Sequence, residues 1–193
     1  MNAEERLNAY VSIVPNLNQK RIQRERFNVF FHYGINTFTG KEWGDGKADP
    51  KIFDPSEQDA DQWVKAVKDG GAYGVILTCK HHDGFCLWQT KTTSYGVASS
   101  PYKDGKGDVV REVSDSCRKY GLKFGIYLSP WDRNSETYGT DKYNDFYCAQ
   151  LEELLTGYGE IFCVWLDGAC GSYMDGKPKQ IYDWDRYFAT IRR

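Results

Sequence analysis

Ile161-Phe162-Cys163-Val164-Trp165-Leu166-Asp167-Gly168-Ala169 is an unbroken apolar run that ends in one carboxylate and a glycine. Six apolar residues without alternation fit a strand covered on both faces, as in parallel sheets, better than a half-solvated antiparallel strand. Asp167 directly after such a run is costly unless it is paired, solvated in a cleft or used. From this segment alone, an Asp that caps the next loop or helix is the alternative reading. The rest of the chain repeats the arrangement three times and so gives the strand tip its weight.

Working outward, Phe27 to Phe31 forms an apolar strand followed by His32-Tyr33-Gly34, and Tyr73 to Cys79 forms another followed by Lys80-His81-His82-Asp83-Gly84-Phe85. Lys123 to Leu128 runs into Ser129-Pro130-Trp131-Asp132-Arg133. Between the strands lie helical stretches: one over Trp63, Val64, Ala66 and Val67, capped by Ser56 or Asp59 and stopped by Gly70-Gly71; one from an Asp108 cap to a Gly121 stop; and one over Asn144 to Leu155 closed by Gly157 and Gly159. Strand starts at Phe27, Tyr73, Lys123 and Ile161 are 46, 50 and 38 residues apart. Strand, loop and helix four times over predicts parallel strands with helical crossovers. A doubly wound sheet and a TIM-type (β/α)8-like barrel both satisfy that pattern. The barrel is favoured because the chemistry-bearing residues follow each of four successive strands, and a barrel gathers all strand tips around one mouth. Four strands are about half of a barrel, which typically takes about 250 residues. Residues 1–193 are therefore expected to be the N-terminal part of a barrel with open edges, through which chains could self-associate.

The composition narrows the class of function. The chain has 193 residues, 40% of them hydrophobic and 16% aromatic, and 25 basic against 27 acidic side chains leave a net charge of -2. No basic face for nucleic acid follows, and no apolar run approaches the about 18 residues of a membrane span. Six Trp, fourteen Tyr and ten Phe supply stacking faces, as sugar rings need and as ordinary cores also contain. The N-terminal Met1-Asn2-Ala3-Glu4-Glu5-Arg6 lacks a secretory pattern, so the protein as written is expected to be cytoplasmic, and periplasmic or secreted if a signal peptide has been removed. The six cysteines form no C-x-x-C pair and read as reduced. Met1 to Arg26 is polar and irregular, with a basic cluster at Lys20, Arg21, Arg24 and Arg26 that reads as a solvated helix. Neither G-x-G-x-x-G nor a P-loop is present, and no cofactor is expected.

Three chemistries compete for the strand tips. In the first, Asp167 is a carboxylate nucleophile while His32, His81, His82, Glu42 and Trp43 grip a neutral polyol. In the second, the three histidines with Asp132 or Asp167 ligate a metal, although H-x-H and H-E-x-x-H are missing. In the third, these groups are structural, with His81-His82 capping a loop.

The blocks Phe30-Phe31-His32-Tyr33-Gly34, Glu42-Trp43-Gly44-Asp45-Gly46, Lys80-His81-His82-Asp83-Gly84-Phe85-Cys86-Leu87-Trp88, Gly125 to Asp132 and Val164-Trp165-Leu166-Asp167-Gly168-Ala169 together resemble the motifs of α-L-fucosidases, glycoside hydrolase family 29. The resemblance runs from Phe27 to about Asp185. It implies a (β/α)8-like catalytic domain that hydrolyses terminal α-L-fucosides of fucosylated oligosaccharides or glycans with retention. It also implies that Asp167 is the nucleophile and that His32, Glu42, Trp43, His81, His82 and Tyr127 hold fucose. The S-P-W-D form resembles the branch that prefers branched oligosaccharides, in which Trp131 and Asp132 shape the site. The family's general acid/base follows the nucleophile at a distance, and only 26 residues follow Asp167. Asp175, Asp183 and Asp185 sit in the outgoing loop and helix, which points to an acid beyond Arg193. The rival reading is a non-catalytic fucose-binding remnant.

Overall fold

A computed structural model describes residues 2–25, 27–170 and 178–193. Four strands, β1 (Asn28–Phe31), β2 (Gly74–Lys80), β3 (Lys123–Leu128) and β4 (Ile161–Trp165), form one sheet in the order β1-β2-β3-β4, and every neighbouring pair is parallel. Among the described residues the order never reverses, so no doubly wound switch point lies between these four strands.

The helices begin and end where side chains satisfy their free backbone groups. α1 (Ala3–Val11) and α2 (Leu17–Arg24) each open on a capping box, Asn2 with Glu5 and Asn16 with Gln19, and neither buries a residue. Lys20, Arg21 and Arg24 lie on α2 and Arg26 lies outside the described residues. α3 (Asn36–Thr39) is a single turn in the loop after β1. α4 (Ala60–Asp69) is capped by Asp59, which accepts from Gln62 N at 3.0 Å. α5 (Val109–Tyr120) runs from its Asp108 cap to Gly121, whose φ of 70° is open to glycine at no steric cost. α6 (Lys142–Gly157) precedes β4, and α7 (Trp184–Arg192) packs back on α6, burying Tyr187 with its ring centroid 4.6 Å from that of Tyr147.

Alternation sorts the strands into two faces. Val29 and Phe31, Val75, Leu77 and Cys79, and Phe124, Ile126 and Leu128 join one core with Val64 of α4, Val110, Val113 and Cys117 of α5 and Leu151 and Leu154 of α6. Phe30, Ile76 and Tyr127 fall on the other face. There the Phe30 and Trp165 rings approach to 4.9 Å between centroids. A flat sheet would set β1 and β4 about 14 Å apart, three strand spacings, so the sheet curls strongly away from the helices. Glycines permit the curl: a Cβ at Gly74 or Gly125 would strike the Phe162 ring, which reaches across β3 to β2. β4 carries a register shift opposite Phe124 to Ile126, consistent with a bulge that sharpens the bend.

Candidate active site

The parallel sheet brings the C-terminal ends of all four strands to one side, and each places a candidate site residue there. His32 follows β1 directly, held in place because the Thr78 hydroxyl on β2 donates to the Tyr33 carbonyl at 2.9 Å and accepts from Tyr33 N at 3.1 Å. The centroids of His32 and His81 lie 4.6 Å apart and those of His81 and His82 4.1 Å, so all three histidines form one contiguous group. Tyr127 of β3 stacks on His81 at 5.9 Å and donates its hydroxyl to Asp167 Oδ2 at 2.9 Å. His82 Nε2 stands 4.0 Å from the same oxygen, and Asp167 Oδ1 accepts from Ala169 N at 2.8 Å. The Asp167 side chain keeps 34% of its surface open.

His32, Glu42, His81 and Asp83 line a cleft of about 360 Å³. Trp43 stands at the rim, 43% exposed, edge-on to His82 at 5.9 Å and to Trp131 at 6.0 Å, while Trp131 is buried against His82 at 4.8 Å. The loop that carries Glu42 and Trp43 is clipped to the loop after β3. Arg133 Nη1 donates to the Gly44 carbonyl at 2.7 Å and Asn134 Nδ2 to the Gly46 carbonyl at 2.8 Å.

Asp132 does not open into this cleft. It is 2% exposed, its Oδ1 accepts from Asn134 N and Ser135 N, and its Oδ2 takes Lys80 Nζ at 3.0 Å. Asp132, expected from the sequence to shape the site, thus has both oxygens engaged inside the protein. Lys80 is fully buried at the end of β2 and also donates to Gln150 Oε1 at 2.8 Å and Tyr143 Oη at 3.4 Å. An unpaired ammonium there would be prohibitive, so the Lys80–Asp132 pair ties the two loops together from beneath. Sequence reasoning passed over Lys80 because a lysine beside two histidines reads as part of the tip. It also passed over Ser129, whose hydroxyl meets His82 Nδ1 at 2.7 Å. The signal for Ser129 was a small hydroxyl residue between a strand end and Pro130.

Burial sets the charge of the site. It pushes His81 down to about 3, with His82 and His32 adding to the shift and Asp167 opposing it. It pushes His82 down to about 4 against the pull of Asp167. Burial and the Asp167 charge together hold the Tyr127 phenol protonated. At neutral pH His81, His82 and Tyr127 are therefore neutral beside the partly open Asp167 side chain, with Glu42 lining the adjoining cleft, an arrangement able to hydrogen-bond uncharged hydroxyls. Among the described residues no three His, Cys, Asp or Glu side chains are grouped to hold a metal ion. Asp183 caps α7 and Asp185 lies in its first turn, while Asp175 lies outside the described residues.

These features define a parallel α/β protein with its site at the strand tips. A family model described as Alpha-L-fucosidase matches residues 47–192, and the chain belongs to that family, glycoside hydrolase family 29. Alpha-L-fucosidase 1 of Arabidopsis thaliana is 49% identical over 93% of this chain and 35% of its own length. A Bacteroides ovatus crystal structure assigned to the alpha-L-fucosidases is 57% identical with a TM-score of 0.90, over 93% of this chain and 31% of that one. A Ruminococcus gnavus fucosidase of the same family, solved in complex with fucose, is 40% identical with a TM-score of 0.84, over 93% and 40% of the two chains. The chain thus spans about a third of the length of the Arabidopsis thaliana and Bacteroides ovatus relatives. Among the described residues no helix is long and apolar enough to cross a membrane.

Proposed function

We propose that this chain is the nucleophile-bearing part of a retaining α-L-fucosidase acting on terminal fucose of oligosaccharides or glycans. The observation that carries the reading is Asp167 at the tip of β4, partly open, with the Tyr127 hydroxyl at 2.9 Å and His82 Nε2 at 4.0 Å. Family membership and the fucose complex of the Ruminococcus gnavus relative support the choice of sugar.

In this reading His32, Glu42, His81 and His82 bond the sugar hydroxyls, Trp43 with Trp131 behind it offers an aromatic wall, and Tyr127 orients the nucleophile. Asp167 attacks the anomeric carbon as the leaving oxygen departs, forming a covalent fucosyl ester; water then hydrolyses the ester with net retention. Protonating the leaving oxygen takes a second carboxyl group about 5 to 5.5 Å from the first. Asp132 and Asp83 are both buried and already hydrogen-bonded. With Glu42 given to a sugar hydroxyl, the acid/base is assigned to the remaining part of the full-length protein. The curled sheet is read as the first half of a (β/α)8 barrel, in which further strands cover the open edges of β1 and β4. Without them, those edges would favour self-association.

The test compares the full-length protein, its Asp167→Ala variant and the 193-residue chain on an aryl fucoside and on a fucosylated oligosaccharide. Asp167→Ala should lower turnover of the full-length protein at least about 10,000-fold on both. The isolated chain should be weaker on both substrates and about 100- to 10,000-fold weaker again on the oligosaccharide, whose leaving group needs the acid. An active Asp167→Ala protein would remove the nucleophile assignment. Full activity of the short chain on the oligosaccharide would show that the acid lies within it. Fucose binding without turnover by the full-length protein would favour the sugar-binding remnant.

A further inference from the structure

The Ser129 hydroxyl, which also neighbours the Tyr127 phenol, hydrogen-bonds to His82 Nδ1 at 2.7 Å and to the Trp131 carbonyl oxygen at 2.7 Å. A carbonyl only accepts, so the single hydroxyl proton of Ser129 is committed to Trp131. The contact with His82 must then run the other way, from Nδ1–H into a Ser129 lone pair. If Ser129 donated to His82 instead, two oxygens would face each other at hydrogen-bond distance with no proton between them. A neutral imidazole protonated on Nδ1 has a bare lone pair on Nε2. Here Nε2 is the nitrogen that stands 4.0 Å from Asp167 Oδ2. Ser129 is itself immobilised, fully buried, with its N–H donating to the Lys80 carbonyl at 3.0 Å.

We propose that Ser129 is a positioning residue that holds His82 as the Nδ1–H tautomer, so that Nε2 meets the sugar as a hydrogen-bond acceptor and offers no proton to Asp167. The nature of the ligand rests on the fucoside reading above; the tautomer rests on this geometry alone. The alternative ring, protonated on Nε2, would present a donor to a carboxylate that already accepts from Tyr127 and Ala169 N. Each further donor makes a nucleophile less willing to share its electrons. With Nε2 bare, the hydrogen bond from this position goes instead to a ligand hydroxyl, which must be the donor. Burial that keeps His82 neutral near pH 7 supports the arrangement, because an imidazolium would donate from both nitrogens.

The chain has only three histidines, so ¹⁵N-histidine labelling of the 193-residue chain resolves the protonated and bare nitrogens of each ring, with His82→Gln used solely for assignment. The wild type should show His82 protonated on Nδ1. Ser129→Ala should shift it toward Nε2–H and weaken fucose binding about tenfold, the size of one lost hydrogen bond, while Ser129→Thr, which keeps the hydroxyl, should retain both properties. In the full-length protein the same Ser129→Ala change should lower kcat/KM on an aryl fucoside about tenfold or more. Three results would overturn the proposal: His82 protonated on Nε2 in the wild type, an unchanged tautomer in Ser129→Ala, or a changed tautomer with unchanged fucose affinity. If Ser129→Ala does not fold, the wild-type and Ser129→Thr signals still decide the tautomer. Full-length wild-type protein that binds no fucose would remove the proposed function, and the nitrogen signals would judge the tautomer separately.

Discussion

β2 and β4 read alike in the sequence and end differently in the fold. All seven residues of Gly74–Lys80 are buried, whereas none of Ile161–Trp165 is, and Trp165 is 48% exposed. Their compositions do not account for the contrast, since β4 is the more apolar of the two. The number of neighbours does: among the described residues β2 is hydrogen-bonded along both edges and β4 along one. On the curled inner face, β4 presents Trp165 against Phe30 with little else over it. An apolar run therefore states how much cover a strand requires, while the surrounding chain decides how much it receives.

Three measurements test this contrast, beginning with the largest effect. Asp132→Ala strands the Lys80 ammonium at the buried end of β2 and should cost about 3 to 5 kcal/mol in denaturant unfolding. Pairing it with Lys80→Met removes the charge as well and should recover most of the loss. A single-variant loss below about 1 kcal/mol would mean that water reaches Lys80 and that the end of β2 is not a dry interior. Next, Leu77→Ala in β2 should cost about 3 kcal/mol, as large-to-small core substitutions do, but Trp165→Ala in β4 only about 1 kcal/mol in the 193-residue chain despite the larger side chain. In the full-length protein the Trp165→Ala loss should rise toward the Leu77 value if further strands cover it, and equal losses in the short chain would erase the contrast. The smallest effect is acid sensitivity. His81 and His82 have folded values below the ordinary 6.5, so the unfolded chain binds more protons than the folded one below about pH 6.5, and stability falls as pH falls. Asp83, raised to about 6 mainly by burial, acts in the opposite direction over about pH 4 to 6. The net loss from pH 7 to pH 5 should be on the order of 2 kcal/mol, and stability that rises on acidification would show that the histidines are not held neutral.

Much of the fold was legible because local chemistry and tertiary demand agree. β3 spans Lys123–Leu128 as its apolar run predicts, and α5 starts after Asp108 and stops at Gly121 because a carboxylate satisfies free N–H groups and a glycine accepts positive φ. α1 and α2 were less clear. Their Asn2-to-Glu5 and Asn16-to-Gln19 capping boxes were present in the sequence, but without an apolar face the stretch reads as irregular. In the site, the histidines and Asp167 were legible as strand-tip residues because parallel strands leave few other places for them. The fate of Asp132 was not legible, since an acid after a tip looks the same whether it faces a ligand or a lysine 52 positions back. The role of Ser129 depends on a proton whose direction only three-dimensional neighbours fix.

Gly84 adopts a φ of 90°, and any Cβ there would collide with the Asp132 carboxylate, while a Cβ at Gly46 would run into the backbone of Arg133 and Asn134. Three loops, from β1, β2 and β3, are thus fitted to one another with no room for a methyl group at either crossing. For anyone moving these interlocked loops onto another scaffold, residues 42–46, 80–85 and 129–135 travel together or leave gaps and clashes that the host must repair.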